Sequence, residues 1–143
     1  MSSSNVELLL HAFAGWGKRS AANMADVVSA DCELIVPASL PYGGTFHGPE
    51  ACINWFTHEL WHWFDEFTST PEGVIDGGEQ VVVPVNVKAR AKNGKTMDVH
   101  NLWVYEFSDG KIARARVYAD TAVLRDTVEG FTPSSHPAGP RRA

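Results

Sequence analysis

At about Glu66 the hydrophobic pattern of the chain changes its period from 3.6 residues to 2. That change most constrains what the chain can fold into, because helices and strands cannot share one periodicity. Before it, Val6, Leu9, Leu10, Phe13 and Trp16 recur at helical spacing behind a Ser4/Glu7 capping box, which predicts a helix over 5–16. A shorter helix fits 21–29. Cys32–Val36 alternates into a strand ended by Pro37, and Thr45–His47 is a short extended piece after the turn Leu40-Pro41-Tyr42-Gly43-Gly44. Pro49 opens a third helix, with Cys52, Ile53, Phe56, Leu60, Trp63 and Phe64 on one face and Asn54, His58, His62 and Asp65 on the other. Trp61 falls among the polar residues, so an oligomer contact or the C-terminal tail is expected to cover it. After the change, strands are predicted over 66–74, 80–91, 96–107 and 111–120. Asn93-Gly94 and Asp109-Gly110 supply two hairpin turns.

Helices followed by a meander predict an α+β domain. Its long strands should form a curved antiparallel or mixed sheet, cone-shaped and wrapped around three helices, with an apolar pocket between the two layers. A chain of 143 residues suits one domain, placed at 1–130, with a flexible Pro/Ser/Gly-rich tail over 131–143. Twelve Lys and Arg against 17 Asp and Glu give a net charge of −5. That balance speaks against nucleic acid and anionic membrane surfaces as partners. The N-terminal stretch has no basic region ahead of its short apolar run, so no signal peptide is expected, and no segment is long and apolar enough to span a membrane. Cys32 and Cys52 read as small buried hydrophobes, and a reduced, cytoplasmic protein is expected.

Tight turns also assign the sheet faces. A two-residue turn at Asp109-Gly110 pairs Ser108 with Lys111 and puts Trp103 opposite Arg116. A two-residue turn at Asn93-Gly94 pairs Asn86 with Asn101. One face then carries Val83, Val85, Val87, Leu102, Val104, Ala115, Val117 and Ala119, with His100 beside Leu102. The other carries Asn86, Lys88, Asn101, Trp103, Arg116, Tyr118 and Asp120. A slip of one residue, from a three-residue turn or a bulge, inverts these sets.

Three segments carry a family resemblance: LPYGGTFHGPEACINWF (40–56), VIDGGEQVVV (74–83) and FSDGKIARARVYAD (107–120). Over roughly residues 5–125 the chain resembles the SnoaL-like branch of the nuclear transport factor 2-like superfamily, which includes ketosteroid isomerase and limonene epoxide hydrolase. The resemblance implies a cofactor-independent acid–base enzyme acting on a hydrophobic small molecule by cyclisation, isomerisation or epoxide opening. It also implies a homodimer. Asp120, although periodicity puts it outside, would point into the pocket, where apolar surroundings raise a carboxyl pKa and suit it to act as a base. Tyr42 would hold water or an oxyanion, and His100 is the other titrating candidate. Phe13, Trp16, Trp55, Phe56, Asn101, Trp103 and Tyr118 are the candidate substrate-binding residues. A non-catalytic ligand-binding or dimerisation module of the same fold is the alternative.

His58-Glu59-Leu60-Trp61-His62 matches H-E-x-x-H, the zinc motif of a helix-borne hydrolase. It lacks the third zincin ligand and lies on the polar helix face. No metal and no cofactor are therefore expected, and a zinc-dependent hydrolase is the remote reading. No phosphate-binding loop, dinucleotide fingerprint or nucleophile elbow occurs.

Overall fold

The computed structural model of the chain describes residues 4–16 and 27–129, with 11–16 described by their backbone alone. Helix α1 (Ser4–Trp16) leads the chain, and strand β1 (Val28–Val36) follows. The helix predicted over 21–29 falls largely outside the described residues, and its last two positions, Val28 and Ser29, already belong to β1. After β2 (Gly44–His47), Pro49 opens α2 (Pro49–Asn54). The chain then winds through one π turn (Trp55–Glu59) and one 3₁₀ turn (Leu60–His62) before straightening into β3 (Phe64–Pro71). The rest is β4 (Ile75–Asp76), β5 (Gln80–Ala91), β6 (Thr96–Ser108), β7 (Lys111–Tyr118) and a helix not foreseen from periodicity, α3 (Thr121–Val128).

Seven strands make one open, curved sheet in the order β2-β1-β7-β6-β5-β3, with β4 alongside β5. β1 and β7 run parallel and every other pair is antiparallel. The α+β architecture predicted from the change of period, a curved mixed sheet with helices, three of them among the described residues, is the one observed. One sheet face is buried throughout. Val81, Val83, Val85 and Val87 of β5, Met97, Val99, Asn101, Trp103, Tyr105 and Phe107 of β6, and Ala115 and Val117 of β7 all point into it. They join Val6 and Leu9 of α1, Trp55, Leu60 and Trp61 behind α2, and Leu124 and Val128 of α3 in one hydrophobic core.

The turns correct the predicted register. The amide of Ala91 donates to the Lys95 carbonyl at 2.8 Å and that of Gly94 to the Ala91 carbonyl at 3.0 Å. The loop is thus three residues, Lys92-Asn93-Gly94, with Gly94 at φ 90°. Asn93 does not simply turn the chain. Its side-chain oxygen accepts from the Lys95 amide (2.9 Å), and its side-chain nitrogen donates to the Thr127 carbonyl near the end of α3 (2.9 Å). Asn86 consequently pairs with His100 rather than Asn101, and Asn101 faces Val85. The Asp109-Gly110 turn does have two residues, with positive φ at both, and Ser108 pairs with Lys111. An irregularity between Glu106 and Phe107 then shifts β7 by one, so Trp103 lies opposite Val117 and not Arg116. Because side chains alternate with period 2, the first shift brings Asn101 and Trp103 inward and sends Leu102 and His100 outward, and the second keeps Ala115 and Val117 on the same inward side.

Trp61 also departs from expectation. It is only 9% exposed, and its indole N–H donates to the Phe56 carbonyl at 2.9 Å, so no oligomer contact is required to cover it.

Candidate functional site

The loop between β1 and β2 folds tightly on itself. The Leu40 amide donates to the Pro37 carbonyl (3.1 Å), and the Gly43 amide donates to the Leu40 carbonyl (2.9 Å). A side chain at Gly43 would place its Cβ 1.8 Å from the Pro37 oxygen, so only glycine fits there. This fold turns Tyr42 inward, where it is 3% exposed. From the junction of α2 and its π turn, the Trp55 indole N–H donates to the Tyr42 carbonyl at 2.8 Å and fixes the loop from below. Such π turns recur at functional sites because they re-aim side chains out of the helical register.

Tyr42, Trp55, Asn101 and Trp103 line one cavity. Val36, Leu40, Leu60, Phe67, Val87, Val117, Ala119 and Leu124 complete its wall. Its volume is about 20 Å³, room for about one water molecule. Aromatic packing surrounds it. Tyr42 lies edge-on to Phe64 (centroids 5.8 Å apart), Trp103 stacks on Tyr105 (5.7 Å), and Phe56 packs on Trp103 (5.9 Å) and edge-on to Trp55 (4.9 Å). Within this apolar wall the Tyr42 hydroxyl and the Asn101 Oδ1 are both buried without a hydrogen-bond partner among the described residues. A buried polar atom left unsatisfied costs about 1–3 kcal/mol, so two of them on residues lining one cavity are a defect that a polar partner would relieve. Burial pushes the Tyr42 phenol well above its ordinary pKa. It therefore keeps its hydrogen and acts as a neutral donor or acceptor. No lysine, arginine, histidine or carboxylate is among the described residues of the wall.

Of the predicted site residues, the structure brings together Tyr42, Trp55, Asn101 and Trp103. Phe56 stands behind Trp103 rather than at the cavity, and the side chains of Phe13 and Trp16 lie outside the described residues. Three candidates stand elsewhere. Asp120 is exposed and caps α3, its Oδ1 accepting from the Val123 amide at 3.3 Å. The strand ends at Tyr118, and the residue that starts the next helix is held outward by that bond. His100 is exposed on the outer sheet face, 2.7 Å from Glu72, because the three-residue loop reverses its side. Tyr118 is 51% exposed on the same outer face, beside Leu102. The wall residues Leu40, Phe67, Val87 and Leu124 were not singled out in sequence. Val87 was placed on the apolar sheet face and Leu40 in the turn, but neither was named for the site, and Phe67 and Leu124 carried no signal of their own.

The H-E-x-x-H segment does not sit on a regular α-helix. It crosses from the π turn into the 3₁₀ turn, His58 and His62 are exposed, and the His58 ring bonds Thr57 at 2.8 Å. Among the described residues no three His, Cys, Asp or Glu side chains come together as a metal site. None of the described helices is long and apolar enough to cross a membrane.

The SnoaL-like domain family matches residues 9–115. The chain belongs to the SnoaL-like family. Among curated proteins none matches it significantly. Several solved structures share the fold of this SnoaL-like chain. An NTF2-like protein of unknown function from Burkholderia pseudomallei is 23% identical, with 88% of this chain and 98% of that one covered and a TM-score of 0.82. TerC, co-crystallised with polyporic acid, is 22% identical over 88% and 98% of the two chains, with a TM-score of 0.80. A putative SnoaL-like polyketide cyclase from Jannaschia sp. CCS1 is 18% identical over 89% and 92%, with a TM-score of 0.77. At these identities the likeness is one of fold.

Proposed function

We propose that this SnoaL-like protein binds a ring-bearing, apolar small molecule in the cavity between its sheet and its helices. One observation carries the reading: two buried polar atoms, the Tyr42 hydroxyl and Asn101 Oδ1, belong to residues that line an otherwise apolar, aromatic cavity, and neither has a hydrogen-bond partner among the described residues. Apolar walls supply affinity and a few placed polar groups supply orientation. The TerC structure with polyporic acid supports a small-molecule role for the fold.

Turnover in the manner of a cofactor-independent cyclase or isomerase is the second reading, favoured by the hydrogen-bearing Tyr42 phenol and by the likeness to a putative polyketide cyclase. In it Tyr42 steadies developing negative charge on a substrate oxygen. Asp120 and His100 have no part in it, because both side chains stand in solvent on the far side of the sheet or at its edge.

The outer sheet face supports the homodimer. Ile75, Leu102 and Tyr118 are 60%, 37% and 51% exposed. Register places Tyr118 beside Leu102 beside Pro84, and Ile75 beside Val82 beside Val104, two adjoining apolar rows of three strands each, the second bounded by Arg116 on β7.

Tryptophan fluorescence tests the binding reading, since Trp55 and Trp103 line the cavity. Titration with naphthalene and 1-naphthol should change the emission of the wild type, and Trp103→Phe should remove most of the change. A response that survives both Trp103→Phe and Trp55→Phe would place binding elsewhere and overturn the reading.

A further inference from the structure

The two orphan atoms restrict the ligand's polar group more narrowly than the cavity alone does. Asn101 Oδ1 only accepts hydrogen bonds, whereas the Tyr42 hydroxyl donates one and accepts others. We propose that the ligand presents one neutral hydroxyl, as an alcohol, phenol or enol, that accepts from Tyr42 and donates to Asn101. The inference rests on the cavity being the ligand site.

Each competing group leaves a defect. A ketone accepts from Tyr42 but has no hydrogen for Asn101 Oδ1, which stays buried and unpaired. A carboxylate has the same shortfall and also brings a negative charge against that oxygen. No cation among the described wall residues offsets it. An ammonium group donates to Oδ1 but leaves the Tyr42 hydrogen without an acceptor, and no carboxylate among the described wall residues balances its charge. Because burial holds the phenol in its protonated form, Tyr42 does not escape this constraint by ionising. A hydroxyl satisfies both groups through one oxygen. A single water molecule has the same pattern, and the cavity of about 20 Å³ has room for one. The ligand hydroxyl then takes a water-sized position while its ring pushes the apolar wall outward.

Probes sharing one ring test this on the full chain: cyclohexanol, cyclohexanone, methylcyclohexane, cyclohexanecarboxylate and cyclohexylammonium. Binding is read from ¹⁵N-resolved signals of the Trp55 and Trp103 indoles and the Asn101 amide, assigned with single variants. Cyclohexanol should bind about tenfold more tightly than methylcyclohexane or cyclohexanone, the factor for one satisfied buried pair. Both charged probes should leave the signals still. Tyr42→Phe should weaken cyclohexanol about fivefold to tenfold and leave methylcyclohexane unchanged. Should that variant fail to fold, the ranking of probes on the wild type decides alone. Equal binding of cyclohexanone and cyclohexanol, or tighter binding of a charged probe, with the same signals moving, would overturn the hydroxyl inference and leave the cavity reading standing. If no probe moves these signals, the site holds water only and both readings fall.

Discussion

The indole N–H of Trp55 donates to the backbone carbonyl of Tyr42 at 2.8 Å, so the helix-to-strand passage and the β1–β2 loop are tied at the residue that supplies the cavity's phenol. Both residues are buried, and the carbonyl would lose this partner in Trp55→Phe. Stranding it should cost about 1–3 kcal/mol, on top of a modest loss of packed area. Urea denaturation should show the lower midpoint with an unchanged slope, since compactness is not altered. The same variant should weaken ligand binding, because Tyr42 is no longer held in place. Unchanged stability would mean the bond does not constrain the loop.

Asp120 separates a capping role from a chemical one. Its side chain bonds the Val123 amide, and α3 carries Leu124 and Val128 into the core. Asp120→Ala should therefore cost about 1 kcal/mol, the usual worth of an N-cap, while Asp120→Asn should cost only a few tenths, because asparagine caps as well as aspartate does. Ligand binding at the cavity should be the same in both variants as in the wild type. A loss of binding or turnover in Asp120→Asn, with stability kept, would return this carboxylate to the site.

The fold was legible because period is a local property. β5 was predicted at its observed bounds, and α1, β6 and β7 were predicted to within a residue or two at each end. The site was less legible because it depends on register, which hangs on single residues. The Asn-Gly pair suggested a two-residue turn, but Asn93 spends its side chain on the Lys95 amide and the Thr127 carbonyl, and the loop takes a third residue. That one residue exchanged Asn101 and Trp103 for Leu102 and His100 as the inward set. The irregularity at Phe107 then carried Val117 to the same side. Tyr42 was named from its loop alone, and no local pattern announced that it and Asn101 would line one cavity. The contact between Cys32 and Cys52, 3.6 Å between sulfurs, was equally invisible, because it joins a strand to a helix across twenty residues.

The apolar rows on the outer sheet face bear on assembly. Leu102 and Tyr118 are cross-strand neighbours there, and neither contributes to the core. In the proposed dimer a second copy covers them. Leu102→Glu should then give a monomer by light scattering at concentrations where the wild type is a dimer. The fold should be retained, because position 102 already faces outward. Like charges brought together across a two-fold interface weaken it by several kcal/mol. A wild type that is itself monomeric, or a variant that remains dimeric, would remove this face from consideration.

Cys32 and Cys52 make the chain's stability fall on the alkaline side. Burial pushes both thiols up, and Cys52, with Cys32 beside it, is raised from 9.0 to about 12. Above pH 9 the unfolded chain releases these protons while the folded chain keeps them. The unfolded state then binds fewer protons, so the slope of stability against pH is negative. The stabilisation is complete below pH 9 and is lost progressively as pH rises toward about 12. Tyr42 and Tyr105, also raised by burial, add the same sign from their ordinary value of 10.0 upward. Between pH 8 and 10 the thiols therefore dominate, and denaturation midpoints of the wild type should decline across that interval. In Cys52→Ala the decline should be shallower, although the variant starts lower by the cost of a small cavity. A midpoint flat from pH 8 to 10 in the wild type would show that the thiols titrate in the folded chain as they do in the unfolded one.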